Sequence, residues 1–394
     1  MLNGLRVLDL SRVLAGPYAT QMMADMGAEV WKLESFKGDD TRYWGPPFVK
    51  SESAYYLSVN RNKKSLAINL KTKEGQEIVQ DLAKKADIII ENFKVGDLKR
   101  YGLDFETIKD INPKIIYCSI TGFGQTGLRS HEPGYDAAIQ ALSGLMAMTG
   151  EKNGTPIKTG VALIDVLAGL HATVAILAAL HEQKATGKAK YLDLALFDVA
   201  LASLVNQAQA TLVSGNAPKR LGSAHPQIVP YQGFAASDGF FMLAVGNDSQ
   251  YKDMCLAINK AELWEDKRFQ TNTGRVKHRK ELVAILAAIF ISKSREQWLS
   301  IFNKNNVPAT PVNDLLEALA DKQVSSRGLI EDIKHPSIDN LKMIASPFKH
   351  SLENNRLEPP PLLAQNTKEI LQTVLGFSDS ELARLEQKQI IKTS

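Results

Sequence analysis

Residues 159–180 read TGVALIDVLAGLHATVAILAAL, the end of an extended piece running into a long, almost wholly apolar helix, with Asp165 at the join. An aspartate before an apolar helix most often caps it, its oxygen taking an unpaired backbone N–H. The same residue is chemically able to be a nucleophile. A carboxylate is ionised at neutral pH and needs no activating base, only a desolvated and oriented seat. The residues alone leave both readings open. The run is also long enough to pass for a membrane span. Asp165 and His171 fall in or beside it, and an uncompensated charge at a bilayer centre is costly. A buried helix in a large soluble core is therefore expected, with no membrane partner.

Upstream, LRVLDLS (5–11) reads as a strand, Arg12–Pro17 as a loop, YATQMMADMGA (18–28) as a helix and EVWKLE (29–34) as a strand ending in an acid. Strand, loop, helix, strand and acid open a nucleotide-binding α/β unit. The first turn carries only Gly16, so the dinucleotide fingerprint is missing. Residues 38–64 show no long periodic segment, and such a loop is functional or covers a partner. Within it Arg61, Lys63 and Lys64 form a basic cluster, either a solvated turn or a phosphate contact. SLAINLK (65–71) is a strand and 73–86 an amphipathic helix. DIIIENF (87–93) is a buried parallel-type strand whose polar end, Asn92–Phe93, lies where open α/β sheets gather ligands.

After KIIYCSIT (114–121) comes GFGQTG (122–127), a literal G-x-G-x-x-G. That motif holds pyrophosphate only where a helix opens behind it. Pro133 and Gly134 break the following LRSHEPGYD, so no dinucleotide cofactor is expected. A helix is expected over 135–150. Past the apolar helix, 190–215 reads as strand then helix, and the Gly-, Ser- and Pro-rich 214–239 as a linker and binding loop. A strand at 240–246, helices near 248–258, 275–290 and 294–304, and VPATPV (307–312) complete a smaller part. PPPLL (359–363) is rigid and extended, and Ser378 with Glu381 forms a capping box opening the last helix.

The expected fold is α/β. A large Rossmann-like domain is built from residues 1–200 and 325–394, and a smaller α/β domain from 220–305, with linkers at 201–219 and 306–324. Apolar content of 44%, charged content of 23% and a net charge of +4 suit a globular enzyme with an anionic ligand and give no case for nucleic acid. Cys118 and Cys255 lack metal-ligand spacing, so neither a metal nor a disulfide framework is expected. The opening MLNGLRVLDL is already strand-like, and the cytoplasm is the expected location.

Ten stretches, in order, carry a resemblance: LDLSRVLAGPYAT, GAEVWKLE, GDDTR, NRNKKS, DIIIENF, TGFGQTG, PGYDAA, GVALIDVLAGLHA, GSAHPQIVPYQGF and PPPLLAQNT. Together they resemble the class III CoA-transferases, which include formyl-CoA transferase and the carnitine and bile-acid CoA-transferases. Within that family the chain is most similar to members that move CoA between dicarboxylic acids, from succinyl-CoA to a glutarate-like acid. The resemblance implies that Asp165 is the nucleophile and that CoA, as substrate and not as a prosthetic group, meets Val13, Ala15, Asn92, Phe93 and Arg100. Where the family often carries arginine after Glu34, this chain has Ser35, with Lys37 nearby to take the role. Tyr135, Gly222, Ser223 and His225 are then expected on the substrate acids, the 222–226 loop offering N–H groups to the oxyanions. An interlocked homodimer is implied as well. Racemases similar in fold carry a histidine where Tyr135 stands, and a tyrosine is a poor base at neutral pH, so transfer is favoured over racemisation. A protein that binds CoA or a nucleotide without turnover is the remaining alternative.

Overall fold

The computed structural model describes residues 1–352 and 357–394. They divide into one unit formed by 1–145, 158–216 and 325–394, and a second formed by 146–157 and 217–324.

The first unit is built on six parallel strands. These are β1 (Arg6–Asp9), β2 (Glu29–Glu34), β3 (Lys63–Ile68), β4 (Ile88–Glu91), β5 (Ile116–Thr121) and β6 (Lys190–Ala195), in the order β3-β2-β1-β4-β5-β6. This is the order of doubly wound sheets, and the chain reverses direction across the sheet between β1 and β4. Eight helices accompany them: α1 (Ala15–Asp25), α2 (Ala54–Ser58), α3 (Lys73–Ala83), α4 (Phe105–Ile111), α5 (Asp136–Leu142), α6 (Leu163–Thr186), α7 (Leu196–Ser203) and α8 (Val205–Ser214). Alternate side chains along each strand feed two cores, as period-2 geometry requires. Leu8, Trp31 and Ile89 pack on the α3 side, and Val7, Val30 and Ile90 on the α1 and α6 side.

Helix α1 starts three residues earlier than its sequence pattern suggests. Pro17 falls in its first turn, where a missing N–H costs nothing. Helix α6 lies against α1 at Gly169, where a Cβ would come 2.8 Å from the Ala15 carbonyl oxygen. Ile164, Ala168, Ala172 and Ile176, at helical spacing, face the core. The helix is not buried all round: Leu170 and Val174 on its other side are exposed. By length and composition alone it would pass as a membrane span. The single helix expected after the strand in 190–215 is two helices meeting at 77°, broken at Leu204–Val205, and α8 buries none of its residues. The expected 135–150 helix likewise stops at Ser143–Gly144, Gly144 having φ +89°.

The second unit holds β7 (Tyr231–Ala236), β8 (Gly239–Ala244) and β9 (Ala309–Pro311), an antiparallel sheet in the order β9-β8-β7. Strand β7 lies inside the stretch read as linker, because its glycine-broken YQGFAA hides the alternation that pairs it with β8. Helices α9 (Asp248–Ala257), α10 (Arg279–Phe290) and α11 (Arg295–Lys304) cover it around Phe234, Phe241, Phe290, Trp298 and Phe302.

The chain then returns through a hairpin of β10 (Ile330–Ile333) and β11 (Leu341–Ile344), and through α12 (Thr367–Leu375) and α13 (Asp379–Gln387), to β12 (Ile391–Lys392). Strand β12 pairs antiparallel with β3 and closes that edge of the sheet. The Ser378–Glu381 capping box is present at α13.

Candidate active site

Because β1 and β4 lead in opposite directions across the sheet, a crevice opens beyond their carboxyl ends. There the structure has a cleft of about 210 Å³ whose lining includes Val13, Ala15, Asn92, Phe93, Tyr135 and Asp165. Six of the residues singled out in the sequence thus meet at one place. Its wall also depends on two glycines. Gly122, after β5, and Gly134 are packed so closely that a Cβ on either would come within 2.5 Å of the other's Cα. This crossing lays the 130–136 segment over the strand ends, and no helix follows the G-x-G-x-x-G, as expected.

The loop after β1 is held from two sides. Asn92 accepts a hydrogen bond from the Arg12 N–H at 2.9 Å and donates from Nδ2 to the Arg12 carbonyl at 2.7 Å. Its amide therefore fixes the loop. Val13 sits at φ +71°, a conformation a β-branched residue rarely adopts. Its N–H points at the Asp39 carboxylate, 3.3 Å from Oδ2. Asp39 is in turn paired with Lys32 at 2.9 Å, both side chains fully buried. Lys32 and the Thr41 donors outweigh burial and hold the Asp39 carboxyl far below the usual carboxylate range. Lys63, one strand over, donates to Asp9, Asn60 and the Pro17 carbonyl.

The basic cluster is therefore neither a solvated turn nor an open phosphate site. Arg61 is paired with Asp25, Lys63 with Asp9, and Lys64 with Glu29 and Glu369. Glu34, the acid expected to close a nucleotide-binding unit, is also occupied. It takes two bonds from Arg42 and one each from Ser65 and the Asp39 N–H.

Asp165 is not the cap of α6. That place belongs to Ala162, and Asp165 is the third residue of the helix. The capping acid is Asp136, at the start of α5. Its Oδ1 accepts from the Ile164 N–H at 2.7 Å and the Asp165 N–H at 3.3 Å, and its Oδ2 from Gln140 Nε2 at 2.6 Å. Gln140 is fully buried and accepts the Thr159 N–H at 3.0 Å, tying the strand that enters α6 to α5. Burial first, and the Asp136 charge second, push the Asp165 carboxyl up to about 7. Neither aspartate is in an ion pair among the described residues.

Tyr55, on α2, was not legible as a site residue. Burial and then the charges of Asp165, Asp136 and Asp39 push its phenol up to about 12, so it stays protonated in the neighbourhood of these acids. Trp44 meets it edge-on, ring centroids 5.3 Å apart. Lys37 and Arg100 lie outside the cleft lining, Lys37 in the turn after β2 and Arg100 beside Asp97 and the Tyr101 ring.

Gly222, Ser223 and His225 belong to the second unit. The amides of Gly222, Ala224 and His225 donate to Gly150, Leu221 and Tyr231 carbonyls, so these N–H groups are engaged and not open to an oxyanion. His225 accepts the Gln227 N–H at Nδ1, leaving Nε2 to carry the proton of the neutral ring. Arg279 grips the His225 and Pro226 carbonyls at 2.8 and 2.9 Å.

Comparison with known proteins agrees with this geometry. A family profile described as CoA-transferase family III matches residues 2–367. The chain is 44% identical over 386 residues to the succinyl-CoA:glutarate CoA-transferase of Mus musculus, covering 98% of this chain and 88% of the relative. It is also 44% identical to the succinate–glutarate CoA-transferase of Agrobacterium fabrum, covering 94% of both. Among solved structures it is similar to a CAIB/BAIF family protein from Brucella suis, with a TM-score of 0.85 and 42% identity over 95% of this chain and 99% of that one.

Proposed function

The chain belongs to CoA-transferase family III and is an enzyme that transfers coenzyme A, and on that premise we propose that Asp165 carries the CoA from a succinyl-CoA-type donor to a second dicarboxylic acid. The observation that carries the reading is the position of Asp165: an unpaired, largely enclosed carboxylate in the strand-end cleft, held by its own backbone N–H.

An Asp165 oxygen attacks the thioester carbonyl, the C–S bond breaks, and a mixed aspartyl anhydride and CoA thiolate result. The thiolate attacks the aspartyl carbonyl, releasing the first acid as its carboxylate and leaving an aspartyl-CoA thioester. The incoming carboxylate displaces the thiolate to form a second anhydride. The thiolate then attacks the acyl carbonyl, giving the new acyl-CoA and restoring Asp165. Each step exchanges acyl carriers of similar energy, so no ATP is consumed. The protein's task is orientation, water exclusion and charge stabilisation. In this reading Tyr55 donates to the oxyanions, and the loop at Val13 and Ala15, with Asn92–Phe93, seats the pantetheine arm. Lys37 and Arg100 serve the CoA phosphates, and Tyr135 the acid.

Incubation with succinyl-CoA and hydroxylamine, followed by peptide mapping, is expected to place a hydroxamate on Asp165. Asp165→Ala is expected to lose transfer and keep CoA binding. Transfer retained in that variant would remove Asp165 as nucleophile.

An interlocked homodimer completes the reading. Leu170, Val174, Val205, Leu212 and Val213 are exposed apolar residues on α6 and α8, and a second copy would cover them. Sedimentation is expected to show a dimer that persists on dilution, and a monomer boundary would oppose it. Cys118 and Cys255 are free and buried, which suits the cytoplasmic location that cell fractionation tests.

A further inference from the structure

Asp136 sits in direct contact with the backbone of the nucleophile yet has no part in the four steps above. Its carboxylate takes three donors, the N–H groups of Ile164 and Asp165 and the amide of Gln140, and no cation among the described residues. Hydrogen bonds donated to a carboxylate favour its charged form, and this oxygen pair receives three. It therefore lays a fixed negative charge beside the Asp165 carboxylate, in a place nine-tenths enclosed. Capping alone would not need a charge, since asparagine or serine oxygens cap as well.

We propose that Asp136 is a positioning residue that drives the acylation of Asp165: its charge makes the free Asp165 carboxylate the high-energy form of the enzyme, and the anhydride and thioester intermediates relieve that repulsion. The argument rests on Asp165 being the nucleophile. Forming an aspartyl ester or thioester removes the Asp165 charge just as protonation does. Whatever Asp136 adds to the cost of the ionised form therefore appears in both equilibria, with the same sign and size. Burial adds to the cost in the same direction, and the partial positive charge of the α6 N-terminus opposes it. The other titratable or charged groups around the cleft, among the described residues, are Tyr55 from α2, Arg12 from the loop after β1, Asp39 behind that loop, Lys94 after β4, and His131, Glu132 and Tyr135 ahead of α5. Arg12 is engaged with Asp40 at 2.9 Å, so its guanidinium is paired with another acid.

The test uses Asp136→Asn and Asp136→Ser, which keep an oxygen for the Ile164 N–H and drop the charge, with Asp136→Glu as the charge-preserving control. Two quantities are measured on each: the pH dependence of kcat/KM for succinyl-CoA, and the equilibrium fraction of enzyme held as aspartyl-CoA, read by intact-protein mass spectrometry after an acid quench. Both neutral variants are expected to move the acid limb down by on the order of one pH unit and to lower the aspartyl-CoA fraction about tenfold, the two shifts matching. Asp136→Glu is expected to keep the limb where the wild type has it. CoA affinity and circular dichroism report whether each variant is folded, and the serine variant stands in where the asparagine variant is not. A limb and a covalent fraction that stay put in a folded neutral variant overturn the proposal. A wild-type enzyme that forms no Asp165 adduct at all refutes the nucleophile instead, and the two failures are distinct.

Discussion

Two groups of buried carboxylates lie near the carboxyl end of the same sheet, and they are treated in opposite ways. Asp9 and Asp39 are paired with Lys63 and Lys32, wrapped in hydroxyl and amide donors, and held below the ordinary carboxylate range, Asp39 far below it. Asp165 and Asp136 have no cation partner among the described residues, and Asp165 is pushed up to about 7. The first group fixes a loop, since it ends on the strained Val13 N–H that borders the cleft. The second is left electrostatically unsettled, which suits a carboxylate that must leave its ionised state in every cycle. Compensated charge marks the frame of this site, and uncompensated charge marks its chemistry.

The comparison breaks most visibly at Asp39. Asp39→Ala leaves Lys32 buried and unpaired, and urea denaturation is expected to show a loss of about 3–5 kcal/mol. Removing both partners, as Lys32→Met with Asp39→Leu, is expected to recover most of that loss while CoA affinity stays reduced, because Val13 has still lost its acceptor. Full recovery of CoA binding in the double variant would show that Asp39 does not hold the loop.

A smaller effect sharpens the contrast through pH. Asp165 is raised above its unfolded value, so its active carboxylate is lost as pH falls through about 7, and kcat/KM is expected to drop about tenfold per unit below that. Asp9 and Asp39 are depressed. Their contribution to stability is full above the unfolded value near 3.8 and disappears only as pH falls through the lower folded values. Circular dichroism between pH 7 and about 4 is therefore expected to stay native while activity declines. Parallel loss of both signals would place unfolding, not Asp165, at the root of the acid limb.

The sheet was readable in the sequence because its strands are apolar runs punctuated by turn residues, as in DIIIENF, and because β1, α1 and β2 follow each other locally. Strand β7 was not, since two glycine and proline signals flank it and its pairing with β8 is a tertiary fact. The break at Val205 carries no proline or glycine to announce it. Asp165 stood out as the one carboxylate of an apolar run, but the residue that caps its helix is 29 positions upstream. Tyr55 lay in a stretch without periodicity, and its nearness to Asp165 and Asp136 exists only in the fold. Asn92 lies at the strand end where the sequence put it, and its hydrogen bonds to Arg12 give it a holding task that position alone did not reveal.

The return of the chain to β3 has a consequence for synthesis on the ribosome. The Ala67 N–H waits for the Thr367 hydroxyl, 300 positions later, and the free edge of β3 waits for β12. Until then the nascent protein carries an open strand edge and an uncovered core face at Leu66 and Ile68. Such an edge is a template for pairing with another chain. Chaperone dependence during translation, and sensitivity to truncation near position 390, would follow from one short strand that contributes little to the finished fold.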